Sequence, residues 1–172
     1  MSRAAGAQGS SGAAHQALVV FSLDHQRYAL ALGCVQRALR VVAITPLPRA
    51  PGIVMGIIDL GGEVIPVIDL RARFDHPPRA LRLSDHLVIA TTRRRSVALL
   101  VDETKGVISV GPEHCAPAGE GLPQTPFVVG AIKLEDGLVL IHDLELLLSP
   151  DEEDALECAI DAHATGSDQG GC

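Results

Sequence analysis

The sequence predicts a mainly β protein built from two similar small barrel lobes packed together, with short helices and a further helix near the C-terminus. Three observations carry that expectation. From Leu18 onward, short Val-, Ile- and Leu-rich runs alternate with polar or Gly/Pro punctuation: LVVFSL, RYALAL, RVVAIT, VMGIIDL and EVIPVIDL, then HLVIATT, SVALLV, GVISV, VVGAIKL and LVLIHDL. Runs of this length and spacing are the pattern of strands in small barrels or sandwiches. The second half of the chain also repeats the first. Finally, 172 residues of which 47% are hydrophobic suffice for one ordinary domain or two small lobes sharing a core.

The repeat comes in two gap-free blocks. LVVFSLDHQRYALALGCVQRALRV, residues 18–41, lies over LVIATTRRRSVALLVDETKGVISV, residues 87–110, with Leu18/Leu87, Val19/Val88, Ala29/Ala98, Leu30/Leu99 and Val41/Val110 identical. VMGIIDLGGEVIPVIDL, residues 54–70, lies over VVGAIKLEDGLVLIHDL, residues 128–144, with Val54/Val128, Gly56/Gly130, Ile58/Ile132, Leu60/Leu134, Asp69/Asp143 and Leu70/Leu144 identical. Between the blocks, the connection after Val110 is longer than its counterpart after Val41. Loops absorb such insertions because closure entropy rises slowly with length.

Taken in order, residues 1–16 are mostly Gly, Ala, Ser and Gln with little periodicity and are expected to be a disordered arm. Residues 17–149 form the folded domain, with lobe one over 17–75 and lobe two over 86–149, joined by the polar segment HPPRALRLSD. Each lobe should close into a small barrel, because a short open sheet would leave its edges unpaired. GGE at 61–63 reads as a tight hairpin connection in which Gly supplies positive φ. Asp69 and Asp143 stand where a carboxylate caps a following short helix, DLRARF or DLELLLS. Residues 150–172 are an acidic tail: Ser149 is a candidate N-cap, Pro150 fits the first helical position, and Glu152 completes a capping box for a short surface helix. The final TGSDQGGC is expected to be disordered.

The net charge of −7 is concentrated in that tail, which holds seven acids and no Lys or Arg. The rest of the chain is balanced and carries one Tyr, three Phe and no Trp, offering neither the basic stripe nor the stacking platform of a nucleic-acid binder. No apolar run reaches the roughly 18 residues that span a bilayer, and the N-terminus lacks a secretory apolar stretch, so a cytoplasmic address is expected.

Chemistry is hard to place on this chain. Cys34, Cys115, Cys158 and Cys172 are far apart with no CxxC, which argues against a disulfide framework or a structural metal. None of the seven histidines stands at a helical metal-ligand spacing. A thiol-dependent hydrolase would rest on Cys115 and a histidine, but the adjacent His114 on extended chain points to the opposite side. Asp102 and Glu103 close the strand SVALLV and should diverge rather than converge in a cleft, and Arg93, Arg94 and Arg95 read as a solvated hairpin tip. GxGxxG, P-loop and GxSxG motifs are absent, so neither an enzyme nor a cofactor is expected.

The segment ITPLPRAPGIVMGIIDLGGEVIPVIDLRARF, residues 44–74, resembles the most characteristic stretch of CheW-like domains. The likeness runs from LVVFSLDHQRYALALGCVQ to VVGAIKLEDGLVLIHDLELLLS and so covers nearly all of residues 17–149. The resemblance implies two SH3-like five-stranded barrels, no enzymatic activity and a coupling role in bacterial chemotaxis. Its implied partners are the cytoplasmic tip of a methyl-accepting chemoreceptor and the regulatory domain of a CheA-type histidine kinase, which is itself CheW-like. A CheW-like scaffold of a non-motility chemosensory pathway is the alternative. On this likeness the receptor-contact groove maps to Val35 and Gly56 and to the hairpin around Asp59, Gly61 and Gly62. Where the family commonly has Asn-Leu-Arg-Gly this chain has Asp59-Leu60-Gly61-Gly62, and where it commonly has an acid this chain has Arg37.

Overall fold

The computed structural model describes residues 14–117 and 127–166. Most of the expected N-terminal arm, part of the long connection after Val110 and the last six residues lie outside the described residues. Eleven strands and two α-helices follow one another as β1 (Gln16–Leu23), β2 (Gln26–Ala31), β3 (Val35–Arg40), β4 (Val54–Leu60), β5 (Glu63–Asp69), α1 (Leu70–Arg73), β6 (His86–Thr91), β7 (Ser96–Val101), β8 (Glu103–Val110), β9 (Cys115–Pro117), β10 (Val128–Leu134), β11 (Gly137–His142) and α2 (Pro150–Gly166). Gln16, assigned to the arm from sequence, already begins β1 and pairs with Val110.

The two expected barrels are present, but neither is made from one contiguous half of the chain. One sheet runs β8-β1-β2-β11-β10-β9 and the other β3-β6-β7-β5-β4. The first hairpin, β1–β2, therefore completes the strands of the second repeat, and its repeat-mate β6–β7 completes those of the first. The division into a lobe over 17–75 and a lobe over 86–149 is corrected accordingly. The chain crosses between sheets through the 3₁₀ turn Leu32–Cys34 after β2 and through the single residue Asp102 after β7. Both parallel pairings, β5 with β7 and β11 with β2, arise where an exchanged hairpin meets its host.

Exchange explains why these strands are apolar on both faces. In β1, Leu18 and Val20 fill the interior of one barrel while Phe21 and Leu23 join the core shared between the barrels. In the mate, Leu87 and Ile89 fill the other barrel while Val88 and Ala90 face the shared core. A strand buried on both sides reads as a continuous apolar run rather than an alternation. Burying both faces of the hairpins at about 25 cal/mol per Å² makes the shared core the main stabilising element.

Each barrel is closed by the continuation of its third strand. After β8 the chain returns as β9 onto the free edge of β10, and after β3 it returns so that Thr45 bridges Ile57 on the free edge of β4. Thr45 and Ile57 exchange both backbone bonds, at 2.9 and 2.8 Å. This seam accounts for the matched glycines. A Cβ on Gly56 would stand 2.2 Å from the Thr45 carbonyl oxygen, and one on Gly130 would stand 3.1 Å from that of Ala116.

A polar cluster ties the first hairpin, α1 and the inter-repeat linker together. The buried Arg71 guanidinium donates to both carboxylate oxygens of Asp24 and of Asp102 and to the Pro77 carbonyl. Arg79 donates to both oxygens of the buried Asp85 and to Asp102. Asp24 also meets His76, whose other ring nitrogen lies 2.6 Å from the Tyr28 hydroxyl. The Arg71 hydrogen bonds hold the Asp24 carboxyl down at about 2. For Asp102 burial pushes the other way, and hydrogen bonds from Arg71, the Asp24 amide and Arg79 outweigh it. Asp102 and Glu103 do diverge as expected, but Asp102 turns into this cluster while Glu103 pairs with Lys105 in solvent.

The local signals behave as the sequence predicts. Asp69 accepts from the Arg71 and Ala72 amides, and Asp143 accepts from the Glu145 amide. Ser149 Oγ accepts from the Glu152 amide at 3.2 Å while Glu152 accepts from the Ser149 amide at 2.8 Å, the reciprocal pattern of a capping box. DLELLLS forms only a 3₁₀ turn over Leu144–Leu146, whereas α2 extends to Gly166 and takes in part of the segment expected to be disordered.

Candidate functional site

All six residues singled out from sequence belong to the β3-β6-β7-β5-β4 sheet: Val35 and Arg37 on the outer strand β3, Gly56 and Asp59 on the other outer strand β4, and Gly61 and Gly62 in the turn that follows it. Val35 is half-buried and Arg37 exposed at the start of β3, where a bulge skips Gln36 out of the β6 register. The Gln36 amide reaches Thr91 and Ser96 across the neighbouring hairpin. Asp59, Gly61 and Gly62 form the exposed end of the β4–β5 hairpin, with Leu60 paired to Glu63. The segment that continues β3 and seats Thr45 on β4 links the two groups.

The turn residues and Gly56 have local reasons for their type. Gly61 and Gly62 have φ of +63° and +92°, the double positive φ that a two-residue hairpin turn requires. Asp59 Oδ1 accepts from the Gly62 amide at 2.7 Å and so holds the turn, a task an Asn would perform equally. Gly61 has open space around it, so the missing arginine is a loss of reach and charge, not a response to crowding. Gly56 is buried beneath Thr45 and shapes the seam from inside, apart from the five surface residues.

Sequence reasoning missed the neighbour of this surface. The expected solvated tip of Arg93, Arg94 and Arg95 receives helix α2 instead: Arg94 pairs with Asp154 at 2.9 Å, and Arg95 with Glu153 at 3.5 Å and Glu157 at 3.8 Å. Arg73 from the other repeat pairs with Glu152, and the Arg93 amide donates to Glu145. Burial raises the Glu152 carboxyl, but Arg73 and the Ser149 amide outweigh it and leave the group below its ordinary range. Leu156, fully buried, and Ala159 then anchor the helix in the shared core. The farther turns, with Ile160 and Ala164, stand beside Thr45, Ile57, Asp59 and Val64. An arginine run followed some sixty residues later by an acidic helix start was the available signal, but only the fold brings the two together.

The thiol chemistry considered from sequence does not assemble. The Cys115 thiol faces the Gly111 carbonyl at 3.6 Å, and His114 turns to Glu113 at 3.2 Å. Cys34 donates to the Ala31 carbonyl at 3.0 Å, and burial pushes its thiol up. Among the described residues no three His, Cys, Asp or Glu side chains gather as metal ligands, and no helix is long and apolar enough to cross a membrane.

What the molecule presents is therefore a pair of interlocked barrels with exposed strand ends and hairpins, the class of a double-barrel protein-interaction module. A family model described as the CheW-like domain matches residues 17–152, and on that match the chain belongs to the CheW family. It is similar to the scaffolding protein TtCheW from Thermoanaerobacter tengcongensis, whose crystal structure superposes with a TM-score of 0.73 at 30% identity over 81% of this chain and 96% of that one. Among sequence relatives it is 28% identical over 140 residues to the probable chemotaxis protein CheW of Rhizobium etli, covering 80% of this chain and 90% of the relative. The chemotaxis protein CheW of Bacillus subtilis is 29% identical over 133 residues, covering 76% and 85%.

Proposed function

We propose that this CheW-family chain is a non-enzymatic scaffold of bacterial chemotaxis signalling, working in the cytoplasm to couple a methyl-accepting chemoreceptor to a CheA-type histidine kinase. The observation that carries the reading is the family match across both interlocked barrels, residues 17–152, together with the likeness to a solved scaffolding protein of the same architecture. Two exchanged barrels hold two outer surfaces at a fixed mutual angle, as a coupler requires. The kinase partner is its CheW-like regulatory domain. The receptor tip takes the surface of Val35, Arg37, Asp59, Gly61 and Gly62, with Gly56 setting its shape from below. No cofactor or metal enters the function.

Co-purification with the regulatory domain of a CheA-type kinase from the same organism tests this reading. A stoichiometric complex is expected, and failure with every such kinase that the organism encodes would overturn it. Arg37 and Gly61 favour a second reading, in which the same scaffold serves a receptor tip with altered charges in a non-motility pathway. Arg37→Glu with Gly61→Arg should then weaken binding to the native partner and improve binding to a standard receptor tip, and unchanged affinity for both would sink it. Because Gly61 sits at positive φ with open space around it, the arginine costs about 1 kcal/mol of local strain and no clash.

A further inference from the structure

We infer that this chain pairs with a second copy of itself by exchanging the first hairpin, so that β1–β2 of each copy completes the second barrel of the other. The inference goes beyond the coupling reading and stands or falls without it. Each second barrel is incomplete without that hairpin, because β1 and β2 fill the gap between β8 and β11 in its sheet.

The hairpin belongs by contact to the far half of the chain. Residues 16–22 pair with residues 103–110, and Arg27, Tyr28 and Ala29 pair in parallel with Val139, Leu140 and Ile141. Leu18, Val20 and Ala29 share a core with Val110, Ile132, Val139 and Ile141. Among the described residues only Ala14 and His15 precede the hairpin, so its withdrawal pulls no folded element through a loop. When it enters a second copy, each of these contacts re-forms with identical residues, including Asp24 on Arg71 and Tyr28 on His76. Such an exchange needs no new interface, and only the hinge changes conformation.

The hinge is the 3₁₀ turn Leu32–Cys34, and it is lightly held. No side chain caps its start; its bonds run from the Val35 amide to the Leu32 carbonyl and from the Cys34 thiol to the Ala31 carbonyl at 3.0 Å. Leu32 and Gly33 are exposed, and a Cβ on Gly33 would meet nothing within 4 Å. Straightened, three residues span about 10 Å, which turns a corner into a strap between copies. The equivalent crossing at Asp102 is a single residue gripped by Arg71, Arg79 and the Asp24 amide, so it does not open in the same way. With one hinge opening per chain, reciprocal exchange closes on a two-fold dimer. In the closed monomer the tether holds the hairpin at an effective concentration on the order of 1 mM. The monomer therefore prevails when dilute, and the dimer grows as the protein approaches that concentration. The dimer presents Val35, Arg37, Asp59, Gly61 and Gly62 twice, a bivalent form of the scaffold.

The test refolds the full chain from urea at about 0.5 mM protein and reads its mass by size exclusion with light scattering. The wild-type chain should give monomer together with a fraction of doubled mass that persists on dilution, because exchange reverses only through unfolding. Deleting Gly33 leaves the crossing too short to fold back and should make the dimer predominant, whereas inserting Gly-Ser-Gly after Gly33 should return the chain to monomer. If the shortened chain does not fold, wild type against the insertion variant carries the hinge test. A wild-type chain that stays monomeric overturns the inference whatever the variants do, and so does a dimer that dissociates at once on dilution or is indifferent to hinge length. The exchange itself is read with Ala17→Cys and Ser109→Cys, cross-strand partners on β1 and β8, in a chain whose native cysteines are replaced by alanine. The oxidised dimer fraction should run as a covalent dimer on a non-reducing gel, and bonds confined to single chains overturn the exchange. If the pair does not oxidise, persistence on dilution and hinge length decide. None of these results bears on the coupling reading, which co-purification with the kinase domain tests separately.

Discussion

Replacing His142 by isoleucine should flatten the loss of stability in mild acid without weakening the protein at neutral pH. His142 is 4% exposed at the end of β11, stacked on Phe74 with ring centroids 4.3 Å apart and tilted on Tyr28 at 5.2 Å. Among the described residues neither ring nitrogen has a partner at hydrogen-bond geometry, the Phe127 backbone being the nearest candidate. Its repeat-mate in the other barrel is Ile68, also buried, so the fold demonstrably accepts an aliphatic side chain at this place. Burial pushes the imidazole down to about 4 from the ordinary 6.5, with the Phe127 backbone opposing the shift only in part. The sign follows from which state takes the proton. Between those two values the unfolded chain binds a proton that the folded chain refuses. The stability is thus fully present above pH 6.5 and is lost as the pH falls to about 4. At 1.36 kcal/mol per pKa unit the loss approaches about 3 kcal/mol. At pH 8 the isoleucine forfeits stacking worth about 1 kcal/mol and removes unsatisfied polar atoms costing about 1 to 3 kcal/mol, so it should be neutral or stabilising. Urea titrations of both proteins from pH 8 to pH 4.5 measure the difference directly. Asp24, held at about 2, loses its contribution only below that window and so leaves the comparison clean. Parallel stability profiles for the two proteins would refute the reasoning.

Arg71→Met should destabilise the fold by about 2 kcal/mol in urea denaturation, because it breaks the network and leaves Asp102 and Asp24 side by side with only Arg79 and His76 as partners; a loss under 1 kcal/mol would mean the cluster is relaxed by solvent. Gly56→Ala should cost several times more than Gly130→Ala in thermal denaturation, since the new Cβ meets a backbone oxygen at 2.2 Å in one seam and 3.1 Å in the other; equal costs would show that the seams yield alike. Scanning calorimetry should record one transition with matching calorimetric and van't Hoff enthalpies, because neither barrel holds all its strands once the other opens; two resolved transitions would contradict that coupling.

What the sequence made legible, and what it did not, follows from which interactions are local. Strand positions, the Gly61-Gly62 turn and the carboxylate caps at Asp69 and Asp143 depend on neighbours a few residues away, and their signals are written there. The repeat was equally plain, since Leu18 and Leu87 or Gly56 and Gly130 occupy equivalent places in the two barrels. The exchange of hairpins was not, because two near-equivalent hairpins present the same apolar pattern to either host, and swapping them changes no residue's environment type. The same symmetry hid the role of Gly56, whose clash partner Thr45 lies in the connection between the aligned blocks. The fold brings the candidate residues to one sheet, whereas the arginine tip was taken as solvated because its carboxylates sit on α2, some sixty residues away in sequence and paired only once the chain is folded.

The exchange bears on function more than the repeat alone does. Two barrels joined by a flexible linker would transmit an orientation poorly, since relative motion is the default where an interface is small. Here the linker is pinned by Arg79 on Asp85 and Asp102, and the shared core is formed by the hairpins that complete the opposite barrels. A displacement at the β4–β5 hairpin meets β5, whose parallel partner β7 is antiparallel to β6, and β6 carries β3 on its other edge. From β7 the chain passes through Asp102 into β8, an edge of the second barrel. On the proposed coupling role, a partner gripping one barrel is connected by continuous backbone to a partner gripping the other.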